Sequence, residues 1–505
     1  MLLISSLKDI HVTWHRVIKM PDLTSHMSGF KYSDIHKIIY PRRHEGIYKN
    51  RGDNPWVSVR IRQGVGRDPS RWFTYQLRTL AEVSRRYGDG RVMLGTRGDV
   101  EIFKVDYRLF DEVVSRLKAV NLDPRDSCGN SVRNPIPCPS NHCPLAQVNA
   151  EALSKFIGDY FRYKAEYEGP SAMPHRFKIS ISACERACAI PVAQDVGIVA
   201  KGRDTFDVYV GGGIGEHAFS AKLMFSGVKA EDLLPIIVGA IEVFKREGER
   251  RGFKWVVVKY GMDRVRSMIL DVAGKVKQTL PAPPDLSPRF INTRLIKLHY
   301  PTGWVESSEL ERIADIADKH GLGYVILFNN QTIYVPVRVM SSGLKGVEVK
   351  DPGPFSTEGP TTVACIGSEL CPPGLIDTTS LGSRIHIHLK GTNRPIRIGI
   401  SGCTHDCGMS WVSDIGLEPY GFKTRILITL GGGPTGLGYV VGTIDPMDAE
   451  QAVDLILNMY VESNSQSMTE FISRVGVDKV REVLAMRIPS FKAPDKSISS
   501  VFGPN

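Results

Sequence analysis

No stretch of this sequence approaches the roughly 20 consecutive apolar residues that cross a bilayer. A helical membrane span is therefore not expected. There is no long Lys/Arg run either, although 64 basic residues stand against 54 acidic ones, a formal charge of +10. Without such a run a nucleic-acid arm is not expected. The scattered surplus suits an ordinary basic surface, an anionic substrate or an acidic protein partner. The opening "MLLISSLKDIHVTWHR" has too short an apolar patch for a secretion signal, and Asp9 breaks it. A cytoplasmic chain is the expectation. Cys-x-x-Cys-His is missing, which argues against covalently attached haem.

Thiols are not in short supply. Cys128, Cys138, Cys143, Cys184, Cys188, Cys365, Cys371, Cys403 and Cys407 make nine. With no secretory signal a disulfide framework is not expected, and clustered thiols point to metal binding or redox work. A length of 505 residues with 42% hydrophobic and 23% charged composition describes a globular chain of at least two domains.

The chain is written twice. "ISISACERACAIPVAQDVGIVA" and "IGISGCTHDCGMSWVSDIGLEP" share an apolar run, Cys-x3-Cys, and Asp-[Val/Ile]-Gly, at a constant offset of 219 residues (184 to 403, 188 to 407, 195 to 414). A glycine triplet follows each, Gly211 to Gly213 and Gly431 to Gly433, and a helical pattern follows each triplet: "AEDLLPIIVGAIEVFKREG" and "DAEQAVDLILNMYVES". Upstream lie Cys138-x4-Cys143 and Cys365-x5-Cys371, and further upstream a repeated strand-helix-strand pattern. Four features in one order imply an internal duplication. "TLPAPPDLSP", Thr279 to Pro288, reads as the linker, because its prolines interrupt helix and ladder alike.

Four thiolates suit zinc or an iron–sulfur cluster. Cys-x5-Cys is wide for a zinc knuckle, and a cubane accepts wider spacing. Taken singly, buried free thiols pack as small hydrophobes, and that is the reading for Cys128. "ITLGGGPTG" contains Gly431-x-Gly433-x-x-Gly436, a weak dinucleotide signal, but "LGYVVGTID" after it reads as a strand, not a helix.

From about Ile47 onward the chain resembles the sirohaem-containing sulfite and nitrite reductases. The resemblance rests on "VACIGSELC" followed by "ISGCTHDC", on "SVRNPIPC", on "HRFKIS" and on "HEGIYKNRGDNPWVSVRIRQG". It implies a [4Fe–4S] cluster on Cys365, Cys371, Cys403 and Cys407, with Cys407 also bound to the sirohaem iron. It implies a substrate cage of Arg62, Arg133, Arg176 and Lys178. It also implies help with the macrocycle's carboxylates from Arg97, Lys254 and the backbone at Gly211, Gly212 and Gly213. Each of these cations alone would read as a solvated surface charge. On a strand, Arg176 and Lys178 share a face and Phe177 points into the core. "GCTHDC" puts His405 and Asp406 beside the cluster, where His405 could hydrogen-bond a sulfur, donate protons, or simply be a satisfied loop histidine.

The implied activity is six-electron reduction of sulfite to sulfide, because two basic residues at Arg176 and Lys178 suit the doubly charged anion. Nitrite reduction to ammonia is the alternative, and a non-catalytic iron–sulfur or zinc protein is the alternative of another class. The electron donor is expected to be a separate protein such as ferredoxin. Cys138, Cys143, Cys184 and Cys188 form a second set, read either as a second cluster or as a relic. In the second half only Lys178 has a basic counterpart, Arg397, since Arg176 falls on Pro395; one catalytic sirohaem is expected.

The expected fold is α+β and internally duplicated: two ferredoxin-like halves forming one pseudo-symmetric domain, plus two mixed α/β domains at whose junction the cofactors lie. The expected units are an N-terminal arm over 1–46, ferredoxin-like halves over 47–122 and 289–350, and α/β domains over 123–278 and 351–505.

Overall fold

The computed structural model describes residues 30–494, apart from 168, 170–171, 216, 250, 339–348, 351–354, 356–359, 390–393 and 422–424. Residues 1–29 of the expected arm lie outside the described residues. The described part of it forms the helix Tyr32–Ile39, which sets Ile35 and Ile39 into the body's core, and a 3-10 turn over Tyr40–Glu45.

The two strand-helix-strand repeats fold as matching pieces that exchange a strand. Trp56–Gln63, Val100–Asp106 and Arg91–Leu94 form one antiparallel sheet. Its edge is Trp304–Glu306 from the other half, with Trp304 opposite Met93. In return Arg71–Phe73 joins the second-half sheet of Arg294–His299, Thr332–Val337 and Tyr324–Leu327, with Trp72 opposite Val325. Each exchanged strand runs straight into a 14-residue helix, Thr74–Tyr87 or Ser307–His320. Leu77, Leu80 and Ala81 of one helix share a core with Leu310, Ile313 and Ala314 of the other. Neither half could bury its apolar face as well alone, so the duplicated pieces make one body.

The larger pieces repeat the same mixed sheet. Ile136–Pro137, Ile179–Ser182 and Val196–Ala200 run parallel, and Phe206–Val210 and Lys222–Val228 continue antiparallel. The second half does likewise with Thr361–Ala364, Arg397–Ile400 and Ile415–Tyr420, then Arg425–Leu430 and Tyr439–Ile444. All four residues of Ile179–Ser182 are buried, as a covered central strand requires. The two sequence-predicted helices form Ala230–Glu247 and Ala449–Glu462.

One expectation is sharpened by the topology. A strand stands between each glycine triplet and its helix. After Gly431 (φ +79) the chain turns, bridges Gly433 to Gly436, and enters Tyr439–Ile444. A dinucleotide site needs a helix N-terminus there, so that alternative falls. Among the described residues no helix is long and apolar enough to cross a membrane.

Candidate active site

The strand-entry segment His175 to Lys178 alternates as its sequence demands. Phe177 is fully buried and packs tilted against Phe244 and Phe253, while Arg176 and Lys178 line a cleft. The cleft measures about 920 Å³ counting its solvent-open mouth. His175, Asp195, Gly212, Gly213, His217, Arg251, Lys254 and Trp255 line it from the first half, and His405 lines it from the second. A Cβ on Gly215 would sit 2.8 Å from the His405 carbonyl oxygen, so the cysteine loop of one half closes directly over the other.

Asp195 explains why an aspartate recurs in the duplicated motif. Its carboxylate accepts the Lys178 amide at 2.8 Å, and Asp414 accepts the Arg397 amide at 2.8 Å in the second half. Each fixes the register of the strand that carries a basic residue. Burial, then Arg176 and Arg97, push the Lys178 ammonium down to about 7; Cys407 and Asp195 act the other way. Burial, then Arg176 and Lys178, push His175 down to about 3, so it is a neutral imidazole at the cleft wall. Asp195 is raised by burial against the hydrogen bond from Lys178.

Arg133 is buried, gives one bond to the Gly129 carbonyl at 2.9 Å, and leaves Nε and Nη1 without partners. Burial pushes it down to about 10, with Arg60 and Arg176 among the charges around it. Arg97 donates to Gln194 at 2.9 Å and to the Asn134 carbonyl at 2.8 Å, and its Nε too is buried without a partner. Burial lowers it to about 9. Lys254 borders the cleft, but its ammonium goes to the carbonyls of Gly213, Gly215 and His217, so it pins the rim loop.

Arg62 is not brought into this cleft. It forms a buried ion pair with Asp126 at 3.2 Å and borders a separate small hollow with Arg67 and Arg162. Arg60, two residues earlier, is the one whose charge reaches both Arg97 and Arg133. Sequence reasoning missed Arg60 because alternation puts Arg60 and Arg62 on one face, and only the partners separate them. Arg60 pairs with the buried carboxylates of Glu101 and Asp99. His175, Arg251 and Trp255 were missed as well. The only signal was the position of His175 inside the quoted "HRFKIS".

The second-half thiols are gathered by contacts from both halves. The Arg51 amide donates to the Leu370 carbonyl at 2.8 Å and its guanidinium to the Pro372 carbonyl at 2.8 Å, fixing the Cys371 loop. Thr96 donates to the Cys407 carbonyl at 3.2 Å. The Cys365 sulfur accepts the Gly402 amide at 3.0 Å. Buried Asp406 accepts from Ser401, from the Ser410 amide and hydroxyl, and from the Trp411 amide, which sets the shape of the Cys-x3-Cys loop. Cys403 Sγ lies 3.3 Å from His405 Nδ1, a sulfur contact of the kind the loop sequence suggested. Burial, then Cys407 and other charges, push Cys365 up to about 12. Cys371 is raised by burial and then by Cys365, Cys407 and Cys403, and Cys403 is pushed up to about 11, chiefly by burial.

Among the described residues no three His, Cys, Asp or Glu side chains converge closely enough to chelate one ion. Cys365, Cys371, Cys403 and Cys407 do sense one another's charge. Partnerless guanidinium nitrogens, a cleft rich in cations and a glycine wall fit an anionic macrocycle beside it. A Cβ on Gly212 would lie 2.4 Å from the Val192 oxygen, so only glycine leaves that wall intact.

Comparison with known proteins agrees with this geometry. The model "Nitrite and sulphite reductase 4Fe-4S domain" matches residues 128–277 and 360–490, and "Nitrite/Sulfite reductase ferredoxin-like half domain" matches 49–120. The chain is 23% identical to the assimilatory ferredoxin-dependent nitrite reductase of Haloferax mediterranei, over 89% of this chain and 87% of that one. It is 25% identical to the chloroplastic ferredoxin–nitrite reductase of Betula pendula, over 68% of this chain and 64% of that one. It is 26% identical to the Synechococcus elongatus ferredoxin–nitrite reductase, over 69% and 74%. Among solved structures, the Mycobacterium tuberculosis NirA protein superposes with a TM-score of 0.70 at 17% identity, over 91% of this chain and 95% of that one.

Proposed function

This chain belongs to the nitrite and sulphite reductase family, and we propose that it reduces nitrite to ammonia with a ferredoxin-type protein as electron donor. Its cofactors are sirohaem and a [4Fe–4S] cluster. Those groups supply the electrons, which side chains cannot carry. Cys365, Cys371, Cys403 and Cys407 would hold the cluster, and Cys407 would also reach the macrocycle iron. What supports this assignment is one juxtaposition: Lys178 of the first half lies within electrostatic reach of Cys407 of the second, across a cleft closed by His405.

The chain's own residues then have distinct tasks. Arg176 and Arg133 hold the anion by permanent charge and planar donors. Lys178, with its ammonium near neutrality, gives up a proton as oxygen leaves as water and regains one from solvent. Asp195 keeps the Lys178 amide, and so its side chain, in place. Neutral His175 adds a wall that does not compete for the anion. Arg97 lies behind these residues and adds positive field. The surplus of basic residues favours an acidic donor protein.

The sequence leaned to sulfite, and the relatives named above are nitrite reductases. Sulfite reduction stays as the second reading for one reason: both Arg176 and Lys178 line the cleft, and two cations suit a dianion. Steady-state rates with each anion, driven by reduced ferredoxin or methyl viologen, decide. Nitrite turnover with higher kcat/KM is expected; a sulfite preference would reverse the assignment.

A further inference from the structure

We propose that the first half holds a second [4Fe–4S] cluster, ligated by Cys138, Cys143, Cys184 and Cys188. These four thiols sit on a backbone scaffold that repeats four hydrogen bonds of the second-half set, although Ala187 stands where Asp406 ties its loop. The Cys138 amide donates to the Ile181 carbonyl at 2.9 Å, and the Cys365 amide to the Ile400 carbonyl at 3.2 Å. The Cys138 sulfur accepts the Ala183 amide at 3.2 Å, as the Cys365 sulfur accepts the Gly402 amide at 3.0 Å. The Gln147 amide meets the Ala183 carbonyl at 2.9 Å, and the Leu375 amide meets the Gly402 carbonyl at 2.7 Å. Ser182 Oγ accepts the Ala189 amide at 3.2 Å, and Ser401 Oγ accepts the Gly408 amide at 2.9 Å.

The strained positions match too. Ala187 (φ 53) and Ile190 (φ 54) repeat Asp406 (φ 48) and Met409 (φ 61). Left-handed backbone at β-branched or other non-glycine residues is uncommon and persists only where the surroundings enforce it.

Each thiol loop is also clasped by the opposite half. Asn329 donates to the Cys188 carbonyl at 3.1 Å, as Thr96 does to that of Cys407. The Ile291 amide holds the Asn141 carbonyl at 2.7 Å, between Cys138 and Cys143. Cys138, Cys143 and Cys188 are buried, so most of the set lies in a dry setting. The repeated scaffold favours the same kind of group in both halves, a cubane rather than a single zinc ion. Cys184 is the one member less than fully buried among the first-half four, which leaves the site a solvent edge.

No macrocycle is inferred beside this set. Pro395 stands where Arg176 would, and Arg397, the counterpart of Lys178, already donates to the Asn329 carbonyl at 2.7 Å and contacts Met409 sulfur. The second cluster would be an electron carrier without a substrate cage. This inference does not depend on which anion is reduced.

Acid-labile sulfide and iron counted on the anaerobically purified full chain test it. Two cubanes give about eight sulfides per chain and one gives about four. Cys138→Ser or Cys184→Ser should lower the count by about half with the tetrapyrrole absorption bands retained, whereas Cys365→Ser should remove the other half. A wild-type count near four that Cys138→Ser leaves unchanged overturns the proposal, as does zinc found in place of the extra iron. If the serine variants fail to fold, the wild-type count still decides. Eight sulfides without tetrapyrrole bands would sink the proposed function and leave the second cluster standing.

Discussion

Replacing Lys178 with alanine removes a half-buried charge that faces the cleft. A unit charge about 4 Å from a bound anion contributes about 4 kcal/mol at an effective dielectric near 20. Asp195 and the neighbouring guanidiniums share that field, so a net loss of about 2 kcal/mol, or roughly 30-fold in KM, is the expected size. The pH dependence follows from the same burial. Burial, then Arg176 and Arg97, lower the Lys178 ammonium to about 7, so the charged form is complete well below that pH and is lost as pH rises through it. The macrocycle's carboxylates and the bound anion both favour the charged form, which moves the midpoint upward in the loaded enzyme. Wild-type KM should therefore rise on the alkaline side, and Lys178→Ala should flatten that limb. Lys178→Arg should keep KM low at high pH and lose kcat, because a guanidinium does not release its proton. Steady-state kinetics from pH 6 to 9 reads all three. An unchanged KM and unchanged alkaline limb in Lys178→Ala would refute the reasoning.

Other outcomes follow from the same contacts. Arg62→Ala leaves buried Asp126 without its guanidinium, which should cost about 3–5 kcal/mol of stability in denaturant unfolding with anion KM little changed in the folded enzyme; a large KM effect without destabilisation would return Arg62 to the cage. Gly212→Ala forces a Cβ to within 2.4 Å of the Val192 oxygen, while a Cβ on Gly433 meets nothing within 4 Å. Tetrapyrrole absorbance should fall for Gly212→Ala and stay for Gly433→Ala, whose stability should shift by about 0.5 kcal/mol at most. Asp406→Ala strips the acceptor for Ser401, Ser410 and Trp411 and should lower labile sulfide; wild-type sulfide in that variant would show that the loop holds its shape without it.

The repeat itself was legible because glycine, aspartate and cysteine occupy positions that backbone geometry dictates. Asp195 and Asp414 recur because each accepts the backbone amide of a basic residue, and the triplet glycines recur because Gly212 and Gly432 lie against carbonyl oxygens. Phe177 and its flanking cations followed from strand alternation alone. The strand exchange was not legible, since Trp72 and Val325 are partners only in space. Nor could alternation choose between Arg60 and Arg62. That choice is made by Asp126 on one side and Glu101 on the other. Lys254 looked like a carboxylate ligand by position, and its carbonyl partners become visible only once the rim loop is folded.

The most direct test of the account is an anion titration of the purified holoenzyme followed through its visible spectrum. Bands of a tetrapyrrole should shift saturably with nitrite, with affinity weakened in both Lys178→Ala and Arg133→Ala. A colourless protein, or bands indifferent to the anion, would contradict it.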